Sequence, residues 1–282
     1  MASTGWRHME GRFEGERGTG IYYQAWIPSG KPKASLVLCH GQGEHSGRFT
    51  HVAEYMARNG YAFWAHDLRG HGRSAGKRGH VDNFDDYLAD LNRLIRIAKE
   101  KDPAAKTFPY GHSLGGLVVL DYAEKHGSEI AGVISTGPLL GLRMKVSPLK
   151  TFLGKTLSGI VPTFTFGTGL DPNLLSHRRE IVQSYVSDPL VHGVATARFY
   201  TELLRAAEET IDSAGKLKSP CLIMQAGADG IVDASVTTAF FKRVGSADKT
   251  LKVYDGWYHE IQNESGWESV VKDIDAWVLA RI

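Results

Sequence analysis

Gly111-His112-Ser113-Leu114-Gly115 is the stretch of this sequence best suited to covalent chemistry. The apolar run Thr107–Tyr110 precedes it, and the helix-like stretch Leu114–Lys125 follows it. A serine at such a strand–turn–helix junction sits on a turn so sharp that its hydroxyl stands clear of the sheet. Side chains at the flanking positions 111 and 115 would collide across that turn, which accounts for the two glycines. A serine hydroxyl is a weak nucleophile until a base takes its proton. Candidates for base and orienting acid occur downstream, in the order serine, acid, histidine. Gly227-Ala228-Asp229 follows the apolar run Cys221–Gln225, and Gly256-Trp257-Tyr258-His259 follows Leu251–Asp255. All three candidates fall just past the carboxyl ends of expected strands, where open α/β sheets place their sites.

Of the twelve histidines, His259 is the best placed to be the base. Asp229 follows its strand directly, whereas Asp233 stands where it could cap a helix beginning at Ala234. Asp229 is therefore the favoured partner for the histidine, with Asp233 as cap. An oxyanion needs backbone N–H donors. His40-Gly41-Gln42-Gly43-Glu44-His45 follows the first central strand, and its glycines let the chain turn N–H groups inward. The expected donors are the N–H groups of Gln42 and Leu114.

Rival readings of these loops fail on single residues. A dinucleotide fingerprint needs glycine at 46, where Ser46 stands, and His40 and Glu44 are one residue too far apart for an H-x-x-E-H zinc site. Asp67-Leu68-Arg69-Gly70-His71-Gly72-Arg73-Ser74 misses the phosphate-loop pattern at His71 and Arg78, and reads as a tight structural turn. Cys39 and Cys221 lie in apolar, strand-like runs and read as small buried hydrophobes. No metal and no cofactor is expected.

These residues need a scaffold that gathers distant loops at one sheet edge. Short apolar runs at Ser35–His40, Tyr61–Asp67, Thr107–His112, Gly132–Thr136, Cys221–Gln225 and Leu251–Asp255 alternate with amphipathic stretches. Phe84, Tyr87, Leu88, Leu91, Leu94, Ile95 and Ala98 share a helix face, as do Trp267, Val270, Val271, Ile274, Trp277 and Val278. The alternation predicts an α/β fold with a mostly parallel central sheet and helices on both faces. A leading antiparallel hairpin is expected from about His8 to Ile27.

Residues 138–207 break the pattern: no convincing strand appears, and Gly, Pro and Phe interrupt any helix. A long strandless insertion in a compact domain is usually functional. The expected organisation is a core from 1–137 and 208–282 with a lid between them. Ile130–Leu170 has no acidic residue, while Arg143, Lys145, Lys150 and Lys155 sit among Leu139, Leu140, Leu142, Val146, Leu149, Phe152, Leu153, Leu157, Ile160, Val161, Phe164 and Phe166. These apolar side chains could line an acyl tunnel and meet a lipid surface, with the lysines on anionic head groups; the plain alternative is that they pack down on the core.

Composition narrows the class. The 282 residues are 42% hydrophobic and 23% charged, as in an ordinary globular chain, and the net charge of +2 gives no ground for nucleic-acid binding. No apolar run is long enough to span a bilayer, and Met1–Arg7 has no signal-peptide core. A cytoplasmic location, with peripheral contact at a membrane surface through the lid, is the expectation.

With these stretches in view, the chain resembles the monoacylglycerol lipase / lysophospholipase branch of the α/β-hydrolases. The resemblance rests on His40–Phe49, Asp67–Ser74, Gly111–Gly116, Gly227–Asp229, Tyr258-His259 and Asp188-Pro189-Leu190-Val191-His192. It implies an α/β-hydrolase fold with an inserted lid, a Ser113, Asp229 and His259 triad, and an oxyanion hole at Gln42 and Leu114. It also implies that Glu44, Arg48 and His112 line the polar, head-group end of a pocket for a lipid ester. Gln42 stands where the family often has a small or apolar residue, and Gln262 where some members have a second histidine; both bear on head-group preference. The expected activity is hydrolysis of monoacylglycerol to glycerol and fatty acid. Lysophospholipase or general carboxylesterase activity is the alternative, and a peptidase or a non-catalytic binding protein is a more distant one. An epoxide hydrolase or dehalogenase would need a carboxylate at 113.

Overall fold

The computed structural model describes residues 5–143 and 156–282. Its centre is an eight-stranded sheet in the order β1-β2-β4-β3-β5-β6-β9-β10. The chain opens with the expected hairpin, β1 (Trp6–Glu14) and β2 (Gly20–Pro28), paired antiparallel from Trp6↔Pro28 to Glu14↔Gly20. There follow β3 (Ala34–Cys39), α1 (Thr50–Arg58), β4 (Ala62–His66), α2 (Asp85–Lys101), β5 (Lys106–His112), α3 (Leu114–His126) and β6 (Val133–Thr136). Beyond residue 156 come β7 (Thr165–Gly167), α4 (Arg179–Ser187), β8 (Val194–Thr196) and α5 (Ala197–Ser213). The chain then returns to the main sheet with β9 (Cys221–Ala226), α6 (Ala234–Arg243), β10 (Lys249–Tyr254) and α7 (Glu268–Leu279). From β4 to β10 every neighbouring pair is parallel.

Both faces of this sheet are covered, which is why β3 reads as an unbroken apolar run. Side chains alternate between faces along a strand. Val37 and Cys39 join a core with α2, α3, α5 and α6, while Leu36 and Leu38 join the opposite core with α1 and α7. Cys39 and Cys221 are free and buried, as expected.

The Asp67–Ser74 turn is a structural brace. Asp67 accepts from Ser46 N at 2.8 Å and Arg73 N at 2.7 Å. Arg69 donates Nε to Asp90 at 2.8 Å and Nη1 to Asp86 at 3.1 Å, and its Nη2 reaches Glu16 O at 3.1 Å. The turn thereby ties the hairpin and α2 to the loop after β3.

Within 138–207 the structure departs from the strandless expectation. β7 and β8 form a small antiparallel sheet with Thr165↔Thr196 and Gly167↔Val194 in register. Three-residue strands leave no period-two signal, and Gly167 weakens what remains. Position 207 falls inside α5, which runs on to Ser213 and packs against α3. Leu139 and Leu140 are buried, whereas Leu142, Ile160, Val161 and Phe164 are exposed. Val146, Leu149, Phe152 and Leu153, with Lys145, Lys150 and Lys155, lie outside the described residues. Among the described residues no helix is long and apolar enough to cross a membrane.

Candidate active site

Ser113 joins β5 to α3 with φ 54° and ψ −114°, a left-handed backbone that side-chain-bearing residues rarely adopt. Its neighbours hold it there. Ser113 N donates to Thr136 O at 2.9 Å, and Ser113 O accepts from Leu117 N at 3.1 Å and Leu139 N at 3.0 Å. The elbow is packed backbone on backbone: a Cβ at Gly115 would lie 2.0 Å from Cys39 O, and one at Gly111 2.1 Å from Gly115 O.

Leu114 is the first residue of α3, so its N–H belongs to the helix's free donors. Gly115 N donates to His40 O at 3.1 Å, which pins the elbow to the loop after β3. Gln42 stands on that loop. Its side-chain amide bridges His71 Nε2 at 3.0 Å and Val194 O at 3.1 Å, and the next residue's carbonyl accepts from His192 N at 2.9 Å. The loop is thus braced from outside by β8 and the segment before it.

Asp229 leaves the end of β9 as a buried carboxylate with four donors around it. Ile231 N and Val232 N each donate to Oδ1 at 2.9 Å, Gln225 Nε2 donates to Oδ2 at 3.1 Å, and His259 Nδ1 stands 2.8 Å from Oδ2. Burial pushes the Asp229 pKa up, but the imidazole and the two backbone donors outweigh it and hold the carboxyl below its ordinary range. For His259, burial acts downward and the Asp229 carboxylate more than reverses it, so the imidazole titrates above its usual value. Donation from Nδ1 to Asp229 leaves the Nε2 lone pair free as a base. Asp233 does cap α6, accepting Ser235 N at 2.9 Å.

Ser113 and His259 line the same cavity of about 660 Å³, together with Gly41, Gln42, Glu44 and His112. No hydrogen bond joins the Ser113 hydroxyl to the imidazole; such contacts are often long in substrate-free enzymes and tighten on binding. Much of the remaining lining is apolar, from Leu139, Leu142 and Leu157 to Phe164, Phe166 and Leu203. Among the described residues no group of His, Cys, Asp and Glu side chains is arranged to hold a metal ion.

Residues 30–266 match the protein family described as serine aminopeptidase, S33. The chain belongs to this family. A monoacylglycerol lipase from Mycolicibacterium smegmatis is 32% identical over 97% of this chain and 98% of its own length. A longer, uncharacterised abhydrolase domain-containing protein of Dictyostelium discoideum is 37% identical over 92% of this chain, which spans 28% of that protein. The crystal structure of Paleococcus ferrophilus monoacylglycerol lipase superposes with a TM-score of 0.83 at 31% identity, covering 98% of this chain and all of that one. The scaffold is the α/β-hydrolase fold.

The polar end of this S33-family cavity differs from expectation in two details. Arg48 does not line the cavity. It stands behind Glu44 and Glu260, donating Nη1 to Glu44 Oε2 at 2.8 Å and to Glu260 Oε1 at 2.5 Å, and Nη2 to Glu260 Oε2 at 2.7 Å. Glu260, which does line it, was not singled out from the sequence, because its partner lies 212 residues away. Glu44 Oε1 accepts Gly41 N at 2.6 Å. A side chain at Gly41 would begin 2.8 Å from that same oxygen, 3.2 Å from Ser113 Cβ and 3.4 Å from His112 Cδ2, so the carboxyl, Ser113 and the ring share one small space. Burial first, and then the neighbouring His259, pull the His112 pKa down to about 3, so this ring is neutral at physiological pH. Gln262 is fully buried away from the cavity.

Proposed function

We propose that Ser113, Asp229 and His259 act as a catalytic triad for acyl transfer, with Gln42 and Leu114 N–H groups as the oxyanion hole. The chain is a serine hydrolase of carboxylic esters, with monoacylglycerol, cleaved to glycerol and fatty acid, as its substrate. The observation that carries the triad is the 2.8 Å contact between buried Asp229 and His259, whose side chain lines the same cavity as Ser113.

The chemistry follows from the groups present. Substrate binding brings the Ser113 hydroxyl to His259 Nε2, which takes its proton as the oxygen attacks the ester carbonyl. The carbonyl oxygen gains negative charge, for which the Gln42 and Leu114 N–H groups are the proposed donors, and each such donor is worth about 10²–10³ in rate. The imidazolium, stabilised by Asp229, then protonates the leaving glycerol oxygen. Water repeats the sequence on the acyl-enzyme and releases the fatty acid.

The apolar walls favour an acyl chain over a peptide. Residues 138–207 supply most of them, in keeping with a lid over the site. The exposed Ile160, Val161 and Phe164, beside a cavity that Phe164 also lines, favour contact of this segment with a membrane surface. Co-sedimentation with phospholipid vesicles is expected for the wild-type chain and is expected to fall on Ile160→Asp; equal sedimentation of both would contradict the contact. The substrate class is tested by hydrolysis of monoacylglycerols, triacylglycerols, lysophospholipids, aminoacyl peptides and short p-nitrophenyl esters side by side. The highest kcat/KM is expected for a monoacylglycerol. Faster cleavage of an aminoacyl peptide bond would instead favour the activity for which the family is named.

A further inference from the structure

A catalytic base needs more than an aimed ring; the backbone that carries it must be held as well. His259 stands in the stretch joining β10 to α7, just before the short helix Ile261–Asn263. Asp229 orients the imidazole, and a second buried carboxylate, Glu264, grips the chain beside it. Tyr258 N, one residue before the base, donates to Glu264 Oε1 at 3.0 Å. The next two N–H groups point away from the turn. His259 N donates to Leu174 O at 3.4 Å, and Glu260 N to Leu175 O at 2.8 Å.

Those two carbonyls belong to the 138–207 insertion, and so do the other groups on Glu264. His177 N lies 3.2 Å from Glu264 Oε1, and His177 Nδ1 lies 2.8 Å from the same oxygen. A carboxylate accepts and does not donate, so both nitrogens are donors here. The His177 ring stacks on Tyr258, with centroids 3.7 Å apart and planes at 25°. Ser176 Oγ donates to Asn263 O at 3.0 Å. Leu174 reaches the loop of the acid too: a Cβ at Gly230, next to Asp229, would stand 2.9 Å from Leu174 Cδ2.

These ties are unequal. The backbone pairs at Leu174 and Leu175 are neutral, and the one at His259 N is long. Hydrogen bonds to a carboxylate are about twice as strong as neutral ones. The Glu264 side chain is 3% exposed, so water competes little for its oxygens, whereas His177 is 51% exposed. One oxygen, Oε1, takes the turn on one side and the insertion on the other. Glu264 does not line the cavity, so whatever it does for the chemistry it does through the turn.

We propose that Glu264 is a positioning residue for the base: it pins the turn carrying His259 to residues 174–177 of the insertion, and so fixes how the imidazole meets Ser113 and Asp229. The inference rests on the triad reading of His259. It makes this part of the insertion a piece of the catalytic frame as well as a wall of the cavity. Misplacing a reacting group by about 1 Å costs about 10² in rate, which sets the scale of the effect.

Glu264→Gln keeps the volume but turns an amide N–H toward donors, which breaks one side of the pin. Its kcat for ester hydrolysis is expected to fall by about 10–100-fold with KM within about threefold of wild type, since the cavity lining is untouched. Active sites are counted by fluorophosphonate uptake, so that kcat refers to folded enzyme. A loosened turn also weakens the Asp229 contact that lifts the His259 pKa, so the acid limb of kcat/KM is expected to move to lower pH. A purely structural role gives a different result: a lower melting temperature with kcat and acid limb as in wild type. That result overturns the pin, and so does a raised KM with kcat unchanged. Should Glu264→Gln not fold, His177→Ala is measured instead, because the ring is half-exposed and its loss removes the Nδ1 donor and the stack while keeping the N–H. A kcat lower by about 3–10-fold is then expected, and an unchanged kcat overturns the proposal. Ser113→Ala is assayed alongside. Inactive Ser113→Ala beside fully active Glu264→Gln sinks the pin alone, whereas active Ser113→Ala sinks the triad reading beneath it.

Discussion

Ser113→Ala is expected to lower kcat for ester hydrolysis by about 10⁵–10⁶ while leaving the fold intact. Alanine has no oxygen with which to form an acyl-enzyme, and His259 has no proton to take. The elbow itself does not depend on the hydroxyl. It is held by backbone bonds from Ser113 N to Thr136 O and from Leu117 and Leu139 N to Ser113 O, and by the tight approach of Gly115 to Cys39. The residual rate, from the oxyanion donors and substrate positioning, is expected to be about 10³–10⁴ over water. Steady-state hydrolysis alongside a thermal melt checks both halves. A variant that folds and still turns over at the wild-type rate removes Ser113 from the chemistry.

Asp229→Asn is expected to cost about 10⁴ in kcat at neutral pH. The asparagine keeps the volume but presents either a neutral oxygen or an N–H to His259 Nδ1. In the second case the imidazole takes the tautomer with its proton on Nε2, where the Ser113 proton should go. The pH profile separates this from general damage. The base must be neutral, so wild-type kcat/KM rises with pH through the His259 pKa, and Asp229 has raised that pKa against the downward pull of burial. Removing the carboxylate leaves burial in command. The acid limb is therefore expected to move to lower pH in Asp229→Asn even as the plateau falls. An acid limb unmoved in the variant would mean that Asp229 does not set the histidine's ionisation.

Much of the site was legible because its signals are local. Ser113 lies in a motif whose glycines, strand and helix are contiguous, and Asp229 and His259 each lie past a strand ending in a glycine turn. Even the choice between Asp229 and Asp233 had a local cue: Asp233 sits one residue before a helix and caps it, which left Asp229 for the histidine. The sheet was legible for the same reason, since fully buried parallel strands write themselves as apolar runs. What the sequence did not reveal depends on distance. Glu260 reads as one charged residue beside a histidine until folding sets Arg48 against it. Arg48 looked like a head-group ligand, whereas the structure commits its guanidinium to two carboxylates behind the cavity wall. The pairing of β7 with β8 joins residues 27 to 31 apart, Gly167 with Val194 and Thr165 with Thr196, and is too short to leave a pattern.

The most direct test is to locate the covalent adduct of a serine-directed fluorophosphonate. Wild-type protein is labelled, digested, and its peptides are mapped by mass spectrometry. One adduct per chain is expected, on the peptide carrying Ser113, and it should disappear when Ser113 is replaced. An adduct on another residue, or none under conditions where the enzyme is hydrolysing ester, would contradict the account.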